Sequence, residues 1–562
     1  MIFSNRPHPI RSWIIEHVLA NPKKAIALPV LFTLSMGLGI NYLVIDDDMM
    51  AMLPETLDSR MSWDAVQDEF GSTEVIFIAF GNKGKTVYSS ETFSLLWDLT
   101  KALENVNQVE KVSCITTISR IDSEDGFMEI SDLQPERDLT PPQINKIKEY
   151  LISNPTIKKR AVSESEEYFN IMVQPYEDIP HDIMRDVVVT VGDSILSADY
   201  EIHYGGTAYI TGSVPTMIRN DITILLRVGL FIMAIVLMVN LRNPFAVIMV
   251  FSVIIQSLVV MAGFMGWMVF MTGSERFYFT IVNSSMPIIL LTIANSDGVH
   301  FVAKFFKEMR NKKDVKKSVE ATMDTLLVPI FLTSLTTMAA FLSLSFAPIK
   351  QLMGYGICIS VGIAHAFLLS STFLPAAISL KKWDMNSKAV TRPSIFESLI
   401  TYFGKTVSNN PKLILGSGVL IATAGIIGLL YLKVDVNIAS FFRQGTEFRD
   451  SIDFIDQEMT GTMDIRVRLE GSMKNPRTLN EIVNLQDMLE NNKKVTTSFS
   501  IADVVKQMHR VVMDDDPGFE TIPEDQGKVN NLFSMYSMSG DPEDFSAMVD
   551  YEYSVGLVTA LS

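Results

Sequence analysis

The residues best suited to chemistry lie in the segment IANSDGVHFVAKFF, where Asn295, Asp297 and His300 interrupt an otherwise apolar run. A charged side chain near the middle of a bilayer costs at least about 2.5 kcal/mol on insertion scales, so it must face other helices or water. Asp297 precedes Lys304 by seven residues, which at about 1.5 Å per residue puts it roughly 10 Å inside a boundary marked by that lysine. His300 follows three residues later, on the same helical face. Low dielectric and a neighbouring imidazole act in opposite senses on the acid's proton affinity, and their balance decides whether protonation falls within physiological reach. An acid so placed can be loaded with a proton from one side of a membrane and emptied to the other. The competing reading is that Asp297 and His300 only hydrogen-bond across helices. Such contacts average under about 1 kcal/mol, a poor reason for burying an ionisable acid. Asn295 and the hydroxyls of Thr333, Ser334, Thr336 and Thr337 in the next run are candidate linings of the same path. His365, one run further on, reads equally well as a satisfied packing histidine.

Other chemistries find little support. The chain carries no GxxxxGK phosphate loop, no HExxH and no GxSxG turn, so an enzyme is not expected and neither is a cofactor. His181 and His203 stand in hydrophilic sequence as isolated histidines, more often packing or surface residues than metal ligands. The run Asp46, Asp47, Asp48 lacks the regularly spaced oxygen ligands and the glycine of a calcium loop. Cys114 and Cys358 are the two cysteines, one in hydrophilic and one in apolar sequence, which gives neither a disulfide framework nor a metal site. The net charge of -17 excludes nucleic acid as a partner.

The elements that must position Asp297 are membrane helices. Hydrophobic residues make up 48% of 562 residues, and mean hydropathy is +0.23. Seven runs reach bilayer length, at about 24–44, 223–240, 244–270, 281–303, 326–345, 351–379 and 413–432, each near the roughly 20 residues a spanning helix needs. The first exceeds the apolar core of a signal peptide and shows no small-residue cleavage site, so it reads as a retained helix. With the N-terminus inside, the cytoplasmic segments hold 18 basic and 7 acidic residues, against 29 basic and 56 acidic on the outer surface. The positive-inside rule favours that orientation.

The hydrophilic regions 45–222 and 433–562 resemble one another at a constant offset of 389 residues. Asn21 and Pro22 correspond to Asn410 and Pro411, Asp46 to Asp435, Ser62 to Ser451, Asp64 to Asp453, Glu69 to Glu458 and Thr73 to Thr462, the signature of an internal duplication. In the first region 74–80, 109–115, 168–173 and 201–204 alternate as strands, while 91–103 and 183–195 have helical spacing. Two β-α-β units imply a ferredoxin-like sandwich, with 118–165 as a less regular insertion. In the second region 464–469, 479–489 and 495–499 repeat the first unit. The duplication predicts that the second domain continues to about residue 611, so that 433–562 is incomplete and the chain a fragment or truncated product.

The order of one helix, a large outer domain, five helices, a cytoplasmic link, a helix and a second outer domain resembles the resistance-nodulation-division transporters. The closer likeness is to the MMPL and Patched-like branch, with its sterol-sensing-domain arrangement of helices two to six. Ala294 to Phe301 is similar to that branch's Asp-x-(Ile or Val)-His pattern on helix four, and TSLTTMAAFLSL from Thr333 to its helix-five motif. Ala340 stands where a glycine is usual, and Gly298 where relatives carry Ser or Tyr. The resemblance implies that Asp297 is the proton-relay acid and His300 its companion. It also implies proton-gradient-driven export of lipids or other hydrophobic molecules from a bacterial inner membrane. Helices eight to twelve of the family are absent, so this portion alone is not expected to transport. The expected class is an α-helical polytopic membrane protein with extracytoplasmic α/β (ferredoxin-like) domains. Its parts are 1–44 with helix one, 45–222 outer, 223–380 helices two to six, 381–412 cytoplasmic, 413–432 helix seven and 433–562 outer. Expected partners are a hydrophobic or lipid substrate and membrane lipids, with room for a homo-oligomer or a periplasmic protein. The alternative is a non-transporting, sterol-sensing-like scaffold or lipid sensor, which has no need of a titrating Asp297.

Overall fold

The computed structural model describes residues 9–46, 53–124, 127–177, 179–196, 199–433, 442–459, 461 and 463–561. Asp47, Asp48, Asp435 and Thr462, which enter the calcium and duplication readings, lie outside them. Two units result, one from 1–54 with 215–434 and the other from 55–214 with 435–562.

In the first unit, helices long and apolar enough to cross a membrane include Pro22–Tyr42 (span one), Thr207–Leu241 (two), Pro244–Thr272 (three), Ile281–Lys312 (four), Val315–Phe346 (five), Lys350–Leu380 (six) and Pro411–Leu429 (seven). Local sequence sets their ends. Asn243 caps span three by accepting the Ala246 N–H at 3.1 Å, Pro244 occupies its first turn, and Gly273 closes it at φ 61°, the left-handed conformation glycine adopts without strain. Asp314 caps span five through the Lys317 N–H at 2.9 Å. Spans three, four, five and six pack around a core that includes Val250, Val253, Ala294, Phe301 and Phe305. Span one lies against span three where a Cβ at Gly39, Gly263 or Gly266 would meet the facing backbone, the close approach that small residues permit between membrane helices. Phe231, Ile232, Leu420 and Ile421 remain exposed, as lipid-facing residues do, and span seven buries none of its residues.

The second unit holds the sheets. Strands β1 (Ile76–Gly81), β2 (Val109–Ser113), β3 (Ser119–Glu124), β4 (Phe127–Asp132), β5 (Tyr168–Pro175), β6 (Glu201–Gly205), β7 (Asp464–Glu470), β8 (Thr497–Phe499) and β9 (Val555–Leu561) form three sheets. The first runs β2-β5-β1-β6, antiparallel throughout, the order of a ferredoxin-like split β-α-β sandwich. Its core contains Ile76, Ile78 and Phe80 from β1, with Phe93, Leu96 and Leu99 from helix Ser90–Glu104. Val75 just before β1, with Phe77 and Ala79 of the strand, belongs to the other face and packs with Ile455 and Met459 of the second half. The second sheet runs β7-β9-β8, which matches β1, β5 and β2 of the first.

The duplication extends to an exchange of helices. Helix Asp58–Phe70 puts Val66 and Phe70 against Leu557 of β9, while its counterpart Glu447–Glu458 lies on the first sheet with Phe454 stacked on His203 at 3.9 Å. The internal ion pair Arg60–Asp64 at 2.7 Å recurs as Arg449–Asp453 at 2.8 Å. The 118–165 insertion is more regular than its sequence suggests. Its hairpin β3–β4 inserts Ile121 and Met128 into the core of the second half, and helices Pro141–Ser153 and Pro155–Ala161 follow.

Candidate functional site

Span four carries Asp297 midway along its length, and the residue is 8% exposed. Its hydrogen bond across the bundle comes from the Ser334 hydroxyl of span five, which donates to Oδ2 at 3.3 Å, longer than the usual 2.7–2.8 Å for hydroxyl donors. No cation forms an ion pair with Asp297 among the described residues. Gly298 next to it has a structural reason: a Cβ there would stand 3.2 Å from Val250 Cγ1, so span four lies close on span three.

The other candidates divide. Asn295 is half-buried, and its Oδ1 is buried with no partner among the described residues, an unpaired acceptor close in sequence to the acid. His300 is exposed, about one helical turn from the acid. Thr333 and Thr336 are exposed, and with Thr337 they spend their hydroxyls on their own helix. Thr333 donates to the Ile330 carbonyl at 2.9 Å, Thr336 to Leu332 at 2.9 Å and Thr337 to Thr333 at 2.7 Å. Ser334 is the hydroxyl in this group that reaches the acid.

A second polar cluster forms where sequence gave little warning. His365 of span six is buried, with Nε2 3.0 Å from the Thr33 hydroxyl of span one. That hydroxyl also lies 3.3 Å from Gln256 Oε1 on span three. Thr33 and Gln256 were invisible as site residues because one hydroxyl or amide per span is common; only three spans converging make them a group. His181 forms a polar pair, its Nε2 2.5 Å from Glu74 Oε2, and His203 stacks on Phe454 with Nδ1 3.4 Å from the Ser451 hydroxyl. No group of three metal-ligating side chains occurs among the described residues.

Comparison with known proteins adds two findings. Residues 51–412 match the profile of the MMPL family. A chain from Methanocaldococcus jannaschii, described only as a membrane protein, is 22% identical over 338 residues, covering 59% of this chain and 83% of the relative.

Proposed function

Since this chain belongs to the MMPL family, a family of membrane transporters, we propose that it couples a proton gradient to the export or transfer of lipids or other hydrophobic molecules. Asp297 is its proton-carrying acid. The observation that carries this reading is a carboxyl enclosed among membrane helices whose interhelical partner is a serine hydroxyl rather than a base. A purely structural acid in such a place is normally neutralised by a cation. A lone one is tolerated best by taking up a proton, and it becomes ionised only when an aqueous path opens to it. Alternation of that state between the two membrane faces gives the helices a reason to move, and the movement passes substrate to the sheet-bearing unit.

The reading places both α/β regions outside, on the acidic side of the charge asymmetry, in a bacterial inner membrane. Lys85→Cys, in an exposed turn of the first region, is expected to react with an impermeant maleimide in spheroplasts. Reaction only after the membrane is broken overturns the orientation.

The coupling is tested with the purified protein in liposomes loaded with a fluorescent fatty acid or lysolipid. An imposed pH gradient is expected to accelerate efflux at least about tenfold, and a protonophore to abolish the increase. Efflux that ignores the gradient favours the non-transporting lipid sensor.

A further inference from the structure

Within the sheet-bearing unit a cavity of about 360 Å³ opens between the two α/β halves, inside the range of about 300–1,000 Å³ typical of small-molecule pockets. Phe70, Phe77, Ile157, Met172 and Phe499 give it apolar walls. Into this lining projects Arg160, half-buried at the end of helix Pro155–Ala161, with its guanidinium 3.9 Å from the centre of the Phe499 ring. Among the described residues the guanidinium has neither a hydrogen-bonding acceptor nor an ion-pair partner.

The acids around the same cavity do not supply one. Asp503, whose charge reaches Arg160, binds Lys506 Nζ with Oδ1 at 2.9 Å, while Oδ2 accepts Gln486 Nε2 at 2.7 Å and the Ser500 N–H at 3.0 Å. Asp464 is paired with Arg466 and Glu520 with Arg510. Asp544 accepts from the Tyr536 hydroxyl at 2.6 Å. Lys111, also in the lining, donates to the Ser546 hydroxyl at 3.5 Å. Burial pushes the Arg160 guanidinium down to about 10, which still leaves it charged at neutral pH. A half-buried guanidinium that Asp503 meets only through its field, that acid being engaged by Lys506, Gln486 and Ser500, has donors to spare, and a planar guanidinium matches a carboxylate or phosphate in a two-point bond.

We propose that this cavity binds a single-tailed amphiphile with a compact anionic head, a carboxylate or phosphomonoester, the head held by Arg160 and the tail by the apolar walls. The inference deepens the lipid-export reading and rests on it for why an amphiphile reaches this unit. The protein's overall acidity, with a net charge of -17, repels anions at long range, so capture depends on this local cation.

Equilibrium binding of radiolabelled palmitate, lysophosphatidate and neutral monopalmitoylglycerol to the intact protein in nanodiscs, without any gradient, tests the site. Palmitate and lysophosphatidate separate the two head chemistries. Arg160→Gln is expected to weaken the anionic ligands about 10- to 100-fold, the scale of a charge-assisted hydrogen bond, and to leave monopalmitoylglycerol within twofold. Arg160→Lys should recover part of the loss. Unchanged anionic affinity in Arg160→Gln, or an equal loss for the neutral lipid, overturns the proposal. If Arg160→Gln fails to accumulate, Met172→Trp, which fills the cavity and keeps the charge, replaces it. Loss of anionic binding then supports the site and retention overturns it. Binding that survives in a protein showing no gradient-driven efflux keeps this site and removes the proton coupling; the reverse result does the opposite.

Discussion

Asp297→Asn is expected to reduce gradient-driven efflux at least about 100-fold, the lower range for loss of a group that must transfer a proton, while leaving the protein folded and inserted. The amide has the carboxyl's shape, and its oxygen can keep the bond that Ser334 donates at 3.3 Å, but it does not titrate. Removing an ionisable group from an enclosed position 8% exposed should not destabilise the bundle, since no cation is left unpaired by the change. His300→Ala is expected to act more weakly, shifting the pH profile of efflux without abolishing transport, because that imidazole is exposed and one turn away. Efflux in proteoliposomes under an imposed pH gradient, with monodispersity and insertion checked in parallel, gives the result. Full gradient-driven efflux by the Asn variant removes Asp297 from the mechanism. Loss accompanied by aggregation leaves the acid with a structural part and counts against a proton role.

Phe169→Ala is expected to lower the stability of the sheet-bearing unit by about 3–5 kcal/mol, the usual range for emptying a buried aromatic site. Phe169 is 0% exposed near the start of β5, with its ring 5.1 Å from Phe93 and 5.9 Å from Phe80. It therefore ties the central strands to helix Ser90–Glu104, and three fully buried side chains cannot close the void without moving the sheet. The reporter is already present: Cys114 is buried in the same core. Urea-dependent modification of Cys114, in a Cys358→Ala background so that the membrane thiol is silent, should show a clearly lower midpoint. Tyr551→Ala, at a side chain 99% exposed in the same unit, should stay within about 0.5 kcal/mol. Equal midpoints for Phe169→Ala and the parent would mean that this aromatic cluster does not hold the sandwich together.

What was legible in sequence was whatever repeats or is forbidden locally. Runs of bilayer length announce spans because unpaired backbone cannot sit in hydrocarbon. The offset of 389 residues maps strand β1 onto β7, and it carries helix Ser90–Glu104 to within three residues of Pro476–Glu490, because alternation and helical spacing are copied with the residues that make them. Asp297 stood out since an acid in an apolar run is costly wherever its helix packs. Which hydroxyl serves it was not legible: Thr333, Ser334, Thr336 and Thr337 are alike in sequence, and helix rotation gives the acid to Ser334 while threonines satisfy themselves on their own carbonyls.

The exchange of helices between the two halves also escaped sequence. An amphipathic helix such as Asp58–Phe70 specifies that one face is buried, but not against which of two similar sheets. The run Lys158, Lys159, Arg160 shows the same limit most plainly, since as sequence it is a solvated basic stretch. In the fold, Lys158 binds Glu166 at 2.6 Å and, with Lys148, holds that carboxyl below the usual carboxylate range, while Lys159 bonds the Thr496 carbonyl at 3.1 Å. Arg160 turns towards the cavity and lies over the Phe499 ring, with no hydrogen-bonding acceptor for its guanidinium among the described residues. Composition and periodicity determined that there would be seven membrane-length helices, duplicated α/β regions and an intramembrane acid, because those follow from how each segment meets water or lipid by itself. The tertiary structure alone decided which charges are paired and which faces the cavity, because the partner of a side chain is set by residues hundreds of positions away.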